Sequence, residues 1–395
     1  MSRAIRRWAG PSYRILVVDD EPDLERLVRQ RMRRDVRKGK FNLRFARNGV
    51  EALEVLSSEG RFDIVLSDIN MPQMDGLTLL EQIPNVDPDV RAVIVSAYGD
   101  MRNIRTAMNR GAFDFVTKPI DFRDLRVTID RTLRNLEVWR EALKARDRLV
   151  AIENELSMAR RMQSSILPTV FPAGPSHELF AQMRPAREVG GDFYDVVKLA
   201  DGQVGMAIAD VSGKGVPAAM FMMSSRTLLK GAAIGHSDPS GVLSDVNNLL
   251  VGENAALMFV TVLYAVFDPR DGSFSFSSAG HDPPLIVHSD GSTDLLGRWG
   301  GGIPLGIEPD WAFEVKSVTL APGDTVLLYT DGVTEALNAD REQFGTDRMR
   351  ELFAGAPPNS AEDATKRVFQ AVSEFSGDAP QFDDVTCLAL RRQGP

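Results

Sequence analysis

The residues best suited to chemistry in this chain are aspartates that stand beside short apolar runs, and they fall into two sets. Asp19, Asp20 and Asp68 follow or close such runs in the first third of the chain, and Ser96 and Lys118, the latter before Pro119, stand in the same way at two more. Three carboxylates gathered at one edge repel each other unless a hard divalent cation lies among them, and all-oxygen ligation suits Mg²⁺. A carboxylate in such a set can also be a nucleophile toward a phosphoryl group, with Ser96 and Lys118 placed to hold the transferred oxygens. The second set is Asp192 in Val189-Gly190-Gly191-Asp192, Asp210 in Ile208-Ala209-Asp210-Val211, Asp331 in Tyr329-Thr330-Asp331-Gly332, and Asp383 with Asp384 ahead of the last apolar run. The neighbouring glycines let backbones approach closely. Two bridged Mg²⁺ or Mn²⁺ ions in such a site would acidify a shared water and clamp a phosphate for in-line attack. The chain's four histidines are not paired at ligand spacing, which disfavours zinc. Any one of these aspartates alone would read as a turn residue; the sets carry the argument.

The elements that must position them follow from periodicity. Apolar runs at Ile15–Val18, Leu43–Ala46, Ile64–Leu66, Val93–Val95 and Phe113–Val116, with helical stretches between them, predict an open parallel sheet whose carboxyl-end edge gathers ligands. Asp121–Leu167 contains neither glycine nor proline and reads as one helix of roughly 70 Å. Leu149, Ile152, Leu156, Ala159 and Ile166, with Gln163, form one seam, and Leu136, Trp139, Leu143 and Val150 a second seam out of phase with it. This pattern predicts a parallel dimeric coiled coil over Leu136–Leu156 with a phase slip near Arg146; two successive helices on separate domains are the alternative. Beyond Pro168, strands are expected at Val204–Asp210, Phe259–Asp268, Ser273–Ser278, Leu285–His288, Thr325–Tyr329 and Thr386–Leu390. Helices are expected at Val216–Gly231, Pro239–Leu250 and Ala361–Phe375, giving a sheet sandwich flanked by helices. The expected domains are a basic tail (1–13), the parallel-sheet domain (14–134), a helical linker (135–167) and the sandwich (168–395).

Bulk composition narrows the class. The 395 residues, 43% hydrophobic and 26% charged, are those of a multidomain globular protein, and a net charge of −9 argues against nucleic acid as a partner. The single cysteine, Cys387, excludes an internal disulfide and reads as a buried strand residue. Met1–Gly10 is basic but lacks the apolar core of a secretory signal, and the longest apolar run, Ala255–Phe267, is too short for a bilayer. A cytoplasmic protein without membrane contact is expected.

Val17-Val18-Asp19-Asp20-Glu21, Ser67-Asp68-Ile69-Asn70-Met71-Pro72-Gln73-Met74-Asp75-Gly76, Val95-Ser96-Ala97 and Lys118-Pro119 together resemble the CheY-like receiver domain of two-component response regulators. The resemblance implies a (βα)5 doubly wound fold in which Asp68 accepts a phosphoryl group from a histidine kinase. It implies that Asp19, Asp20, Asp68 and the main-chain carbonyl of Asn70 hold Mg²⁺, that Ser96 and Lys118 sense the phosphoryl group, and that Phe115 is the switch aromatic. It also suggests a cis peptide before Pro119. The second aspartate set, with Ala279-Gly280-His281, Ile303-Pro304-Leu305-Gly306 and Tyr329 to Ala336, resembles the SpoIIE-like branch of the metal-dependent protein phosphatases. That resemblance implies an α-β-β-α sandwich binding two or three Mn²⁺ or Mg²⁺ ions. Asp210 would bridge the metals with the carbonyl of Val211 as a further ligand, Asp331 and Asp383 would complete the shell, and Asp192 would act through water. Asp384 would stand behind the ligands, and Arg187 would meet the substrate phosphate. Ser212-Gly213-Lys214-Gly215 lacks the upstream glycine and the following Ser or Thr of a phosphate loop, and His281 is assigned a structural role. The expected function is a receiver-controlled phosphoserine/phosphothreonine phosphatase, homodimeric through its linker, acting on a phosphorylated STAS-type anti-sigma-factor antagonist. The alternative is an adaptor whose phosphatase-like domain binds a sigma factor or anti-sigma partner without catalysis.

Overall fold

The computed structural model describes residues 10–97, 99–172, 174–235, 238–254, 257–297 and 302–394. Most of the basic tail and the first two residues of the run Ala255–Phe267 therefore lie outside the described residues. The chain divides into two compact units, 1–151 and 152–395.

The first unit alternates β1 (Tyr13–Val18), α1 (Pro22–Lys38), β2 (Phe41–Ala46), α2 (Gly49–Ser58), β3 (Ile64–Asp68), α3 (Gly76–Val86), β4 (Arg91–Ala97), α4 (Met101–Asn109) and β5 (Asp114–Lys118). The strands are parallel in the order β2-β1-β3-β4-β5. Both faces are covered, as the continuous apolar runs require. Leu16, Val18, Val65 and Ile94 pack toward α2 and α3, whereas Ile15, Val17, Ile64 and Leu66 pack with Val28 and Met32 of α1 and with Leu125, Ile129 and Leu133. Local signals fix the helix ends: Pro22 opens α1, Asp23 and Glu25 lie in its first turn, and Gly39 ends it at φ 81°.

Helix α5 (Phe122–Ile166) is continuous over 45 residues, close to the expected span. Its first turns belong to the first unit. Leu125, Ile129, Leu133 and Leu136 form one buried stripe, and Arg126–Asp35 (2.9 Å), Lys40–Asp130 (2.8 Å) and Arg140–Asp63 (2.6 Å) flank it. This corrects the expected coiled-coil seam at its start: Leu136 is fully buried, because it continues the stripe that covers β1 and β3, and it has no surface to offer a partner helix. Leu149, Val150, Ile152, Met158 and Met162 are exposed. Gln163, beyond the expected coiled coil of Leu136–Leu156, is 4% exposed. Its amide donates to Gly190 O at 2.6 Å and accepts from Gly190 N at 3.0 Å, a two-bond clamp on the residue two before Asp192. Replacing Gln163 with Leu leaves both backbone groups of Gly190 buried and unpaired. It should destabilise the second unit by about 1–3 kcal/mol per orphaned group, read as a lower urea midpoint; an unchanged midpoint would count against the clamp.

The second unit contains β6 (His177–Arg184), β7 (Phe193–Lys198), β8 (Val204–Val211), α6 (Val216–Gly235), α7 (Pro239–Glu253), β9 (Val260–Phe267) and β10 (Ser273–Ala279). It continues with β11 (Leu285–Val287), β12 (Thr293–Leu295), β13 (Val315–Thr319), β14 (Thr325–Tyr329), α8 (Asp331–Thr334), α9 (Gly345–Glu351), α10 (Ala361–Ser376) and β15 (Val385–Arg392). Two five-stranded antiparallel sheets form, β13-β10-β9-β8-β7 and β12-β11-β14-β15-β6. Helices α6 and α7 cover the first and α10 the second, the expected α-β-β-α sandwich. The strand period of two sorts the core: Leu388 and Leu390 of β15 join the cluster shared with the first sheet, and Val385, Cys387 and Ala389 face Val368, Phe369 and Val372 of α10. Cys387 is accordingly a fully buried strand residue. Among the described residues, no helix is long and apolar enough to cross a membrane.

Candidate active site and receiver site

In the second unit the aspartates sit where strands end. Asp192 immediately precedes β7, Asp210 is the penultimate residue of β8, Asp331 opens α8 after β14, and Asp383 and Asp384 immediately precede β15. Glycines make this convergence sterically feasible. A Cβ on Gly332 would lie 1.8 Å from the carbonyl oxygen of Asp384, and one on Gly191 would lie 3.0 Å from that of Val211. Asp384 acts as a backbone receptor: its carboxylate accepts from the amides of Ala186 (2.7 Å), Gly191 (2.6 Å) and Asp192 (3.3 Å) and so fixes the loop that carries Asp192. Asp192 is itself held by the hydroxyls of Thr330 (2.7 Å) and Thr386 (2.6 Å), both donating to Oδ2. Arg187 lies in the same loop, its Nη1 3.7 Å from where a Cβ on Gly215 would stand.

The electrostatics of this cluster are strained. Burial, then the charge of Asp331, pushes the Asp210 carboxyl up to about 8. Burial, followed by Asp383 and Glu335, raises Asp331 to about 6, and burial beside Asp210 and Asp384 holds Asp192 well above the ordinary carboxylate range. Asp282 joins them, raised to about 7 by burial and then by Asp331 and Glu335, with a buried Oδ2 that has no hydrogen-bond partner. His281 behaves differently. Its Nε2 lies 3.1 Å from Tyr329 O and its Nδ1 2.9 Å from Thr261 Oγ1. A carbonyl can only accept, so Nε2 carries the proton. Burial lowers its pKa to about 4, so this neutral ring is a structural tie and has no proton to spare.

In the first unit the β1 and β3 ends bring Asp19, Asp20 and Asp68 together, with ligand oxygens within 4.8 Å of one another. Lys118 at the end of β5 reaches Asp68 at 2.8 Å, Glu21 at 3.0 Å and Asp19 at 3.1 Å. Burial works against its charge, but these three carboxylates together raise its pKa. The other oxygen of Asp68 accepts from the amide of Ile69 at 2.8 Å. Ser96 is fully buried and its hydroxyl has no partner, Phe115 is half exposed, and Asn70 is exposed in the loop after β3. The Lys118-Pro119 peptide is cis.

The description "Response regulator receiver domain" matches residues 15–130, and "Stage II sporulation protein E (SpoIIE)" matches residues 200–393. The phosphoserine phosphatase RsbU of Bacillus subtilis is 30% identical over 244 residues, covering 61% of this chain and 71% of RsbU. The chain belongs to the SpoIIE-type protein phosphatases joined to a response-regulator receiver. Protein IcfG of Synechocystis sp. is 31% identical over 268 residues, 60% of this chain but 41% of IcfG, so the chain spans less than half of that relative. The SiaA-PP2C domain of Pseudomonas aeruginosa superposes with a TM-score of 0.54 at 27% identity, covering 62% of this chain and 98% of that one.

The SpoIIE-type domain fits the divalent metals of its family by the chemistry of its donors: buried carboxylates that raise one another's pKa and a main-chain carbonyl beside Gly191. Among the described residues, the three carboxylates drawn within 4.8 Å of each other are those of the receiver. Because Asp210 holds its proton up to about pH 8 in the metal-free site, Mn²⁺ binding near pH 7 should release protons. Calorimetric titration in buffers of different ionisation enthalpy should reveal that release, and affinity should climb from pH 6 to pH 8.5. A pH-independent affinity would contradict this reading. The site roles of Thr330, Thr386 and Asp282 were not read from the sequence. Of these only Asp282, adjacent to the Ala279-Gly280-His281 block, carried a signal in its residue type.

Proposed function

We propose that this chain is a two-component response regulator in which phosphorylation at Asp68 by a histidine kinase controls a metal-dependent phosphoserine/phosphothreonine phosphatase. The observation that carries the reading is the convergence of Asp210, Asp331 and Asp383 from three separate strand ends on one acidic site, with Asp192 hydrogen-bonded behind Asp210. Asp210, Val211 through its carbonyl, Asp331 and Asp383 would hold two Mn²⁺ or Mg²⁺ ions, with Asp192 acting through water. When bound, the metals acidify a water and neutralise charge on the phosphoryl oxygens. The protein's own part is to fix that site: Thr330 and Thr386 orient Asp192, Asp384 secures its loop, and Arg187 is at hand for the substrate phosphate. In the receiver, Asp19, Asp20, Asp68 and the Asn70 carbonyl would hold Mg²⁺, and Ser96, Lys118 and Phe115 would report the phosphoryl group.

The name of RsbU, a phosphoserine phosphatase, supports phosphoserine as the target. We assign as substrate a phosphorylated STAS-type anti-sigma-factor antagonist, and as assembly a homodimer through the linker helix α5, on which Leu149, Val150 and Ile152 are exposed. Phosphate release from a phosphoserine STAS protein should require Mn²⁺ or Mg²⁺ and vanish on chelation. If the purified chain binds that protein but releases no phosphate with either metal, the non-catalytic adaptor reading replaces this one.

A further inference from the structure

Lys214 lies in the loop after β8, four residues beyond Asp210, and is flanked by Gly213 at φ +88° and Gly215 at φ +78°. Both glycines adopt a left-handed backbone that side-chain-bearing residues seldom take, so the loop is shaped to project the one side chain between them. Its ammonium lies 2.8 Å from Asp383 Oδ2, donates to the carbonyl of Phe382 at 2.5 Å and sits 3.9 Å from the centroid of the Phe382 ring. That ring is 63% exposed, so the contact covers the lysine from the solvent side without burying it. One cation thus joins the loop that follows Asp210 and Val211 at the end of β8 to the loop carrying Asp383. It neutralises a carboxylate that would otherwise add to the repulsion at Asp331, where its charge is also felt.

We propose that Lys214 is a built-in counter-cation of the phosphatase site: it pairs with Asp383 when divalent metal is absent and competes with metal for that carboxylate, thereby setting the metal concentration at which the enzyme becomes loaded. The inference rests on the assignment of Asp383 as a metal ligand. Lys214 acts through Asp383 and is a positioning residue. Two cations competing for one carboxylate are linked, so removing one tightens the other by the coupling factor, at least about five-fold for an ordinary coupling. A positive charge retained at the same place preserves the competition.

The test is Mn²⁺ binding followed by electron paramagnetic resonance and calorimetry on the full chain carrying Asp20→Asn, so that the receiver site does not dominate the titration. In that background Lys214→Met should bind Mn²⁺ at least about five-fold more tightly than Lys214 itself, and Lys214→Arg should restore the original affinity. The metal-free Lys214→Met protein should also melt at a lower temperature, and this deficit should shrink when Mn²⁺ is added. Lys214→Gln, which retains polarity, should behave as Lys214→Met if the latter folds poorly. Equal or weaker Mn²⁺ binding in both neutral variants would overturn the proposal and leave Lys214 as a support for Asp383 in the loaded site. If the parent chain itself binds no Mn²⁺ at the phosphatase site, the metal assignment fails and this inference fails with it.

Discussion

The Asp210→Asn variant should hydrolyse phosphoprotein on the order of a thousand-fold more slowly than the wild type, a loss of about 4 kcal/mol of transition-state stabilisation, and yet melt at a higher temperature when metal is absent. Both effects have one cause. Asp210 is held against Asp331 and Asp383 in a buried site, and burial with those charges moves its carboxyl to about 8. A carboxyl whose folded-state pKa is raised contributes stability that is fully present below its ordinary value of 3.8 and is lost as pH climbs through about 8. The metal-free wild type should therefore weaken over that window, and Asp210→Asn should weaken less, the remaining loss coming from the raised carboxyls of Asp331 and Asp282. The difference in melting temperature in chelator should widen from pH 6 to pH 8.5, while the rate at saturating Mn²⁺ stays low at every pH. Activity within ten-fold of wild type would remove Asp210 from the metal shell. A melting temperature below that of the wild type at pH 8.5 would mean that the charge is compensated in some other way.

The Asp68→Ala variant should take up no phosphoryl group from acetyl phosphate or from a kinase, a complete loss on radiolabelling. Asp68 closes β3, is 6% exposed, and offers one oxygen to the amide of Ile69 and the other to Lys118. Asp19 by contrast is tied to the amide of Glu21 and to Lys118, and Asp20 is exposed. The phosphatase rate of Asp68→Ala should then be indifferent to phosphodonor, with its Mn²⁺ dependence unchanged. Label retained on the variant would place the phosphorylation elsewhere.

Much of this architecture was legible in the sequence because local and tertiary signals agree. The receiver strands are continuous apolar runs, since both faces of the sheet are covered, and a glycine- and proline-free stretch became α5 almost to the residue. Strands that serve two masters were harder to see. β6 sends Leu179 and Ala181 toward the other sheet and Phe180 toward α10, which blurs the alternation, and β13 is largely exposed. β7 begins within Gly191-Asp192-Phe193-Tyr194-Asp195, where the glycine and aspartates of the motif mask its strand character. The seam on α5 misled at its start for a physical reason: a heptad cannot tell a partner helix from the surface of the helix's own domain, and Leu136 was taken by the latter. The acidic set was readable because aspartates beside glycines at strand ends are individually cheap and collectively costly. The hydroxyls of Thr330 and Thr386 and the Lys214–Asp383 pair were not readable, since they depend on which loops the two sheets bring together.

The control of one domain by the other is the central claim, and one rate tests it. Dephosphorylation of a phosphorylated STAS-domain protein by the full chain should be followed with saturating Mn²⁺, with and without beryllofluoride, beside Asp68→Ala. The proposed function predicts a metal-dependent rate that changes with beryllofluoride in the wild type and does not change in the variant. A robust rate that is the same with and without beryllofluoride in the wild type would contradict it, leaving a phosphatase whose receiver does not govern it.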